Sequence, residues 1–446
     1  LEKLRLLLTI LVLCLSFGAA QATHYFVDPV NGNDSNVGTR ASPIKTLYHG
    51  QQLAIAGDTV HALPGVYGGP GQVNYCSLPD ASGDGYVCQS VSGTANAPIT
   101  YVSDVQWGAK LICDHDLAFF FIEADYIVIK GFDMTCPGSA SAFAFQVGQY
   151  GAHGHMSVLN NYIHDSGTLL CGQSAAIFTG DRGLSNPGGS IIDGNVIRHI
   201  GNNDGSFSAC AVQHGIYGGN KGEITTNNIV SGVVGIAIHS FGGGVCNEVV
   251  SGNIVFDNSN GGILLENTSG SGHFDNCANS FTADYNTVTN NISYHNGWAR
   301  NLSGGFYNGQ HAGIAVNGDL MGTHNYIANN ISFGNNPNST QTQGDIAIMS
   351  PGVYSNLIKP PLNAVFRNYR SDTNWAPDPR YNFYNYQPPL AGSPAIDGGI
   401  QAVAAGSGMT QVTHDILGVL RPQGAAFDIG AFEHIGSCCH RPGFRP

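Results

Sequence analysis

The chain has 446 residues with 17 Lys and Arg against 30 Asp and Glu, a formal net charge of -13, and glycine at 61 positions. The acidic balance excludes the basic patches that nucleic-acid binding needs, and it disfavours a polyanionic glycan unless a metal or a local cluster reverses the field. Charged residues make up only 11% of the chain, and abundant Gly, Asn, Ser and Thr suit short strands joined by tight turns better than helices.

Lys3 and Arg5 precede an apolar run from Leu6 to Phe17, which closes in Ala20-Gln21-Ala22. This is the pattern of a secretory signal over residues 1–22, with cleavage expected after Ala22. The run is too short to span a bilayer, so the mature chain is expected to be a secreted monomer, extracellular or periplasmic, with no membrane span. Of the 11 cysteines only Cys14 precedes that site, and the order of the rest suggests local disulfides: Cys76–Cys88, Cys113–Cys136, Cys171–Cys210 and Cys246–Cys277. Cys438 and Cys439 are left without an assigned partner.

From residue 24 the sequence reads as a strand (Tyr25 to Val27), an Asn/Gly/Asp turn cluster, a helical pattern from about Ile44 to Ala56 stopped by Gly57, and a strand from Thr59 to Leu63. Strand-like runs follow at Ile99 to Val102, Phe119 to Ile122 and Tyr126 to Ile129. An asparagine phrase then sets a rhythm: Asn160-Asn161-Tyr162-Ile163, Gly194-Asn195-Val196-Ile197, Asn227-Asn228-Ile229, Gly252-Asn253-Ile254, Asn290-Asn291-Ile292 and Asn329-Asn330-Ile331. Its second Asn recurs after 34, 33, 25, 38 and 39 residues, so a bare coil is near 25 and the others carry insertions. A repeat of this size built from short strands predicts a solenoid, an all-β right-handed parallel β-helix. Asn tolerates left-handed turns, and its stacked amides can hydrogen-bond from coil to coil for roughly 1 kcal/mol each, which makes these asparagines structural.

Between the asparagine phrases lie rungs with period-2 alternation: Ala176-Ile177-Phe178, Gly215-Ile216-Tyr217, Gly235-Ile236-Ala237-Ile238-His239, Gly262-Ile263-Leu264-Leu265-Glu266, Gly313-Ile314-Ala315-Val316-Asn317 and Asp345-Ile346-Ala347-Ile348. Aligned on their first Ile, they predict one inward column, Ile177, Ile216, Ile236, Ile263, Ile314 and Ile346. The outward column is then Tyr217, His239, Glu266 and Asn317. A single domain is expected over 23–435, with an N-terminal cap at 23–70, a Pro-rich C-terminal cap at 370–435, and a disordered tail at 436–446.

The opening phrase YFVDPVNGNDSNVGT…SPIKTL…AGDTVHALPGVY and the closing phrase LAGSPAIDGG…DILGVLRP…FDIGAFE resemble the two ends of secreted bacterial parallel β-helix proteins of the pectate-lyase-like superfamily. The asparagine phrases between them are similar to that superfamily's ladder. The resemblance implies the fold over nearly the whole mature chain and a polysaccharide as partner, but the superfamily holds lyases, hydrolases, epimerases and proteins without a known reaction.

His239 beside Glu266 is the best acid/base pair that the outward column offers, with His214 and Tyr217 close enough in sequence to complete it. β-Elimination beside a uronic carboxylate needs a base, an acid and a positive group, and Lys221 and Arg300 are the basic candidates for the last. The competing reading is a solvated His/Glu surface pair. Insertions at 268–283 and 297–311 contribute Trp298, Arg300, Tyr307 and His311, which with Asn317 are candidate sugar contacts; the aromatics could equally pack their own loop. Hydrolysis needs two facing carboxyl groups, and the column supplies Glu266 with only Asp181 nearby.

The opening cap is also similar to that of family 9 polysaccharide lyases, and this implies a calcium pocket of several Asp with a Lys base. The nearest string here is Asn202-Asn203-Asp204-Gly205 followed by Lys221, so Asp204 is the candidate calcium ligand, with one Asp where that pocket has two. The expected activity is that of a polysaccharide lyase on a uronic-acid-containing glycan. The alternatives are a non-catalytic glycan-binding or cell-surface protein, a glycoside hydrolase, and a polymer-level uronate epimerase.

Overall fold

The structure, a computed structural model, describes residues 22–68, 76–77, 84–113, 117–136, 145–149, 152–167, 174–179, 187–201, 213–241, 245–267, 283–297, 312–317, 325–335, 346–348, 357–358, 393, 395–400 and 413–435. Three ten-stranded sheets wind around one core, each coil contributing a strand to each sheet. The first sheet runs from His24–Val27 to Tyr326–Ala328, the second from Gly65–Tyr67 to Leu357–Ile358, and the third from Cys76–Ser77 to Ile346–Ile348. Among the described residues, every pairing between strands of these sheets is parallel except that of Cys76–Ser77 with Asp84–Gln89. The architecture is a right-handed parallel β-helix.

The coil closes because the chain turns sharply at fixed corners through left-handed residues. After the first sheet these are Gly131, Asn160, Gly194, Asn227, Gly252, Asn290 and Asn329, with φ between 53 and 77°. Gly194 and Gly252 thus fill the position that Asn holds on neighbouring coils, the two residue types that enter this region at least cost. The next residue starts the ladder. Asn161, Asn195, Asn228, Asn253, Asn291 and Asn330 pass amide hydrogen bonds of 3.0 to 3.1 Å from each Nδ2 to the next Oδ1. From Asn195 onward each Oδ1 also accepts the backbone N–H of the Asn before it, as Asn228 does from Asn195 at 2.9 Å. Two further ladders, Asn258–Asn296–Asn335 and Asn286–Asn325, were not anticipated. They lie five residues to either side of the first (258 minus 253; 291 minus 286), at the other corners of the coil.

The inward isoleucine column is present with one correction. Ile216 faces Ile238, not Ile236, so the column is Ile177, Ile216, Ile238, Ile263 and Ile314, with Ile346 next in backbone register. Alignment on the first Ile of each rung slips this strand by two, because its Ala237 takes the inward corner place that Gly215 and Gly262 hold elsewhere. Ile236 packs instead with Leu264, Ala312 and Ala315 on the outer face.

The N-terminal helix is shorter than its apolar pattern, Leu47–Leu53. Ile44 is bridged to Val27 as an extra strand position, and Asp34 accepts the N–H groups of Lys45 and Thr46, so the helix starts after its Thr46 cap. At the other end Asn329 clasps Ile400 through both of its amide atoms, and the fully buried Arg421 pairs with Glu433 at 3.2 Å while donating to the Gly430 carbonyl. Cys76–Cys88 and Cys113–Cys136 are disulfides, with Cα separations of 6.1 and 4.7 Å. Cys246 is disulfide-bonded as well; its expected partner Cys277, the pair Cys171 and Cys210, and residues 436–446 lie outside the described residues. No helix among the described residues is long and apolar enough to cross a membrane.

Asn228→Ala should strip the Asn195 N–H and the Ile192 carbonyl of these partners in a dry interior, while the Asn195 amide keeps its bonds to the Val158 and Asp193 carbonyls. At about 1–3 kcal/mol for each group not rescued, a loss of at least ~2 kcal/mol is expected in a urea unfolding curve.

Candidate functional site

On the third sheet each rung begins with two successive inward residues, Gly215-Ile216, Ala237-Ile238 and Gly262-Ile263. A side chain on Gly215 would run into the Ala237 carbonyl and the core residue Val230, which shows that this position points inward. Two inward neighbours in a row place His214 and Tyr217, on either side of them, together on the outer face. Tyr217 lies directly across from His239, because the corrected register sets Ile216 against Ile238. Glu266 does not: its cross-strand partners are Phe241 and Asn317, while His239 faces Leu264. The Glu266 side chain nevertheless reaches back diagonally, with His239 Nε2 to Glu266 Oε2 at 3.3 Å.

His214, Tyr217, His239 and Glu266 therefore form one cluster. The His214 ring lies 5.0 Å from Tyr217 and 4.8 Å, edge-on, from His239, and the Tyr217 and His239 rings are 5.3 Å apart. One fixed donor orders the protons. The Ile236 N–H donates to His214 Nδ1 at 3.1 Å, so His214 carries its hydrogen on Nε2, which faces His239 Nδ1 at 3.5 Å. His239 then carries its own hydrogen on Nε2 and directs it to Glu266. The chain of donors ends on the carboxylate.

The cluster is sunk below the surface, which corrects the expectation of a solvated pair: His214 is 5%, His239 7% and Glu266 1% exposed. Burial, reinforced by the neighbouring His239, holds His214 well below the usual imidazole range and so neutral. Burial, reinforced by the Glu266 charge, pushes the Tyr217 phenol up to about 12, so it keeps its proton at neutral pH. Tyr217 is only half-buried and forms the open edge of the cluster. Phe178 flanks its ring at 5.7 Å, and Phe241 flanks His239 at 5.5 Å. Neither Phe was singled out from the sequence, although both fall on the outward parity of their rungs.

Lys221 is exposed at the corner that follows the Tyr217 rung. Asn317 pairs with Glu266 through its backbone. Trp298, Arg300, Tyr307, His311, Asp181 and the calcium candidate Asp204 lie outside the described residues, and among the described residues no group of three or more His, Cys, Asp or Glu is arranged to hold a metal.

No protein-family model and no curated protein matches the sequence. Among solved structures, the fold is similar to that of a rhamnogalacturonan lyase, with 13% identity over 84% of this chain and 98% of that one, at a TM-score of 0.50. It is also similar to pectate lyase Pel9A, with 16% identity over 93% of this chain and 97% of that one, at a TM-score of 0.49. Likeness at this identity is one of fold alone, that of a parallel β-helix.

A buried neutral His makes stability depend on pH with a definite sign. The folded pKa of His214 lies below the unfolded value near 6.5, so below that pH the unfolded chain takes up a proton that the fold refuses. Stability should be full above 6.5 and fall as the pH drops, by up to about 1.4 kcal/mol per unit. In urea unfolding across this range, His214→Asn should lack that share of the slope.

Proposed function

We propose that the protein is a polysaccharide lyase acting on a uronic-acid-containing glycan by β-elimination, with the His214/Tyr217/His239/Glu266 cluster as its acid/base machinery. The observation that carries the reading is the directed donor chain from the Ile236 N–H to Glu266, set beside a phenol that keeps its proton. Glu266, steadied by the His239 Nε2–H, is the base that removes the proton on the carbon next to the uronic carboxylate. The electron pair released forms the new carbon–carbon double bond, and the glycosidic carbon–oxygen bond breaks. Tyr217, at the open edge, donates its proton to the departing oxygen. To Lys221, exposed at the corner that follows the Tyr217 rung, this reading assigns the substrate carboxylate, whose negative charge grows as the proton leaves. Hydrolysis is the weaker chemistry, since Glu266 is the only carboxyl group among the described members of the cluster and two are needed.

The burial of Glu266 and His239 favours a second reading, a glycan-binding protein whose cluster serves the fold. An assay separates the two. The protein is incubated with rhamnogalacturonan, pectate, alginate and glycosaminoglycan chains, with and without calcium, and absorbance is followed at about 235 nm, where unsaturated uronates absorb. A lyase gives a rise with at least one chain, and Glu266→Gln or Tyr217→Phe lowers kcat by roughly 10²–10⁴-fold. No rise on any substrate would overturn the lyase reading. Glycan affinity that survives both substitutions but falls on Trp298→Ala would establish the binding protein.

A further inference from the structure

Inside the solenoid, at the corner that leads into the first sheet, each coil contributes one polar residue to a column: Ser190, Glu223, Glu248, Asn286 and Asn325. Their carbonyls accept in turn from the first strand residue of the next coil, as Glu223 does from Val249 and Glu248 from Thr287. Asn286 does here what an amide does best, donating Nδ2 to the Val245 carbonyl at 3.1 Å and to Asn325 Oδ1 at 2.9 Å. A carboxylate has no hydrogen with which to continue such a ladder. Yet Glu223 and Glu248, 2% and 1% exposed, occupy two successive rungs about 4.8 Å apart.

Two carboxylates at this spacing in a dry interior repel strongly, and no cation among the described residues stands against either. What surrounds them is oxygen. Thr179 and Thr225 hydroxyls donate to Glu223, and Ser240 bonds to Glu248. Gly218 leaves the room, since a side chain there would collide with the Glu223 carboxylate.

A second observation is independent of the acidic pair. Asn220 is fully buried, and neither its Oδ1 nor its Nδ2 has a partner; Glu248 Oε1 has none either. Gly222 N–H donates to Cys246 and Asn247 N–H to Asp284, which places Lys221, Cys246 and Asp284 at one coil position. Asn220 therefore stands where the next two coils put Val245 and Ala283, both in the core. Its amide enters the interior beside Glu223, whose N–H donates to the Asn220 carbonyl at 3.2 Å. Buried polar atoms in native folds find partners, and a proton shared between the carboxyls would leave the Asn220 amide without one.

We propose that Glu223, Glu248 and the Asn220 side-chain oxygen hold a hard divalent cation, calcium, inside the solenoid, with Thr179, Thr225 and Ser240 orienting the carboxylates. An all-oxygen set with two carboxylates selects calcium over the transition metals, which favour nitrogen and sulfur. The ion offsets the paired negative charge and ties two coils directly behind the rungs that carry Tyr217 and His239. Its role is structural and separate from turnover.

The test uses the secreted protein after chelation and desalting. On addition of calcium, the wild-type chain should regain about one equivalent by elemental mass spectrometry and gain roughly 5 °C in Tm. His239→Ala, which alters only the outer cluster, should respond in the same way. The double variant Glu223→Gln/Glu248→Gln, with amides in place of the charges, should bind one equivalent less and lose the Tm response. Equal calcium content and equal response in wild type and double variant would overturn the proposal. So would a wild type that binds no calcium and whose stability falls as the pH rises from 4.5 through about 7, the signature of carboxyls that hold a proton in the fold and release it on unfolding. Both wild-type measurements decide the matter even if the double variant fails to fold, and neither depends on whether the protein is a lyase.

Discussion

The stacking of one coil on the next at strand spacing is the constraint from which the rest of the molecule follows. Parallel strands satisfy the backbone along three faces, but each corner exposes N–H and carbonyl groups that no strand can reach. The asparagine ladders meet that need. Asn228 accepts from the coil before through Asn195 and donates to the coil after through Asn253, so each amide closes a gap that the turn beside it opens. The turn itself depends on the preceding residue being left-handed, and this is why Asn or Gly precedes each residue of the first ladder, Asn161 to Asn330.

The same corners determine where chemistry can sit. A corner that places two successive residues inward sends the residues on either side outward together. His214 and Tyr217 meet for that reason, three residues apart on a strand whose simple alternation would send them to opposite faces. His239 joins them by register, and Glu266 by reaching across a diagonal. The electrostatic outcome is a His214 imidazole held neutral in a line that ends on Glu266, beside a phenol that holds its proton more tightly than usual.

Polar residues inside the solenoid divide into two kinds. Amides such as Asn228 and Asn286 complete ladders and can be counted as structure. Glu223 and Glu248 cannot, because a carboxylate only accepts, and a column that uses Asn one rung further on has no structural need of charge. The contrast within a single column separates a ladder residue from a candidate ligand.

The coil rhythm, the asparagine ladder, the isoleucine core and the two local disulfides now described were all legible from residue order. Each depends on contacts that recur at a fixed spacing along the chain, so a periodic sequence states them directly. The shift from Ile236 to Ile238 was not legible, because both residues lie on one parity and only the corner geometry at Ala237 separates them. The diagonal reach of Glu266, the burial of the outer cluster, the shared outer face of His214 and Tyr217, and the interior meeting of Glu223 with Glu248 belong to the tertiary structure alone. Each depends on how far one coil is offset against the next, a quantity that the spacing of residues along a single chain does not contain.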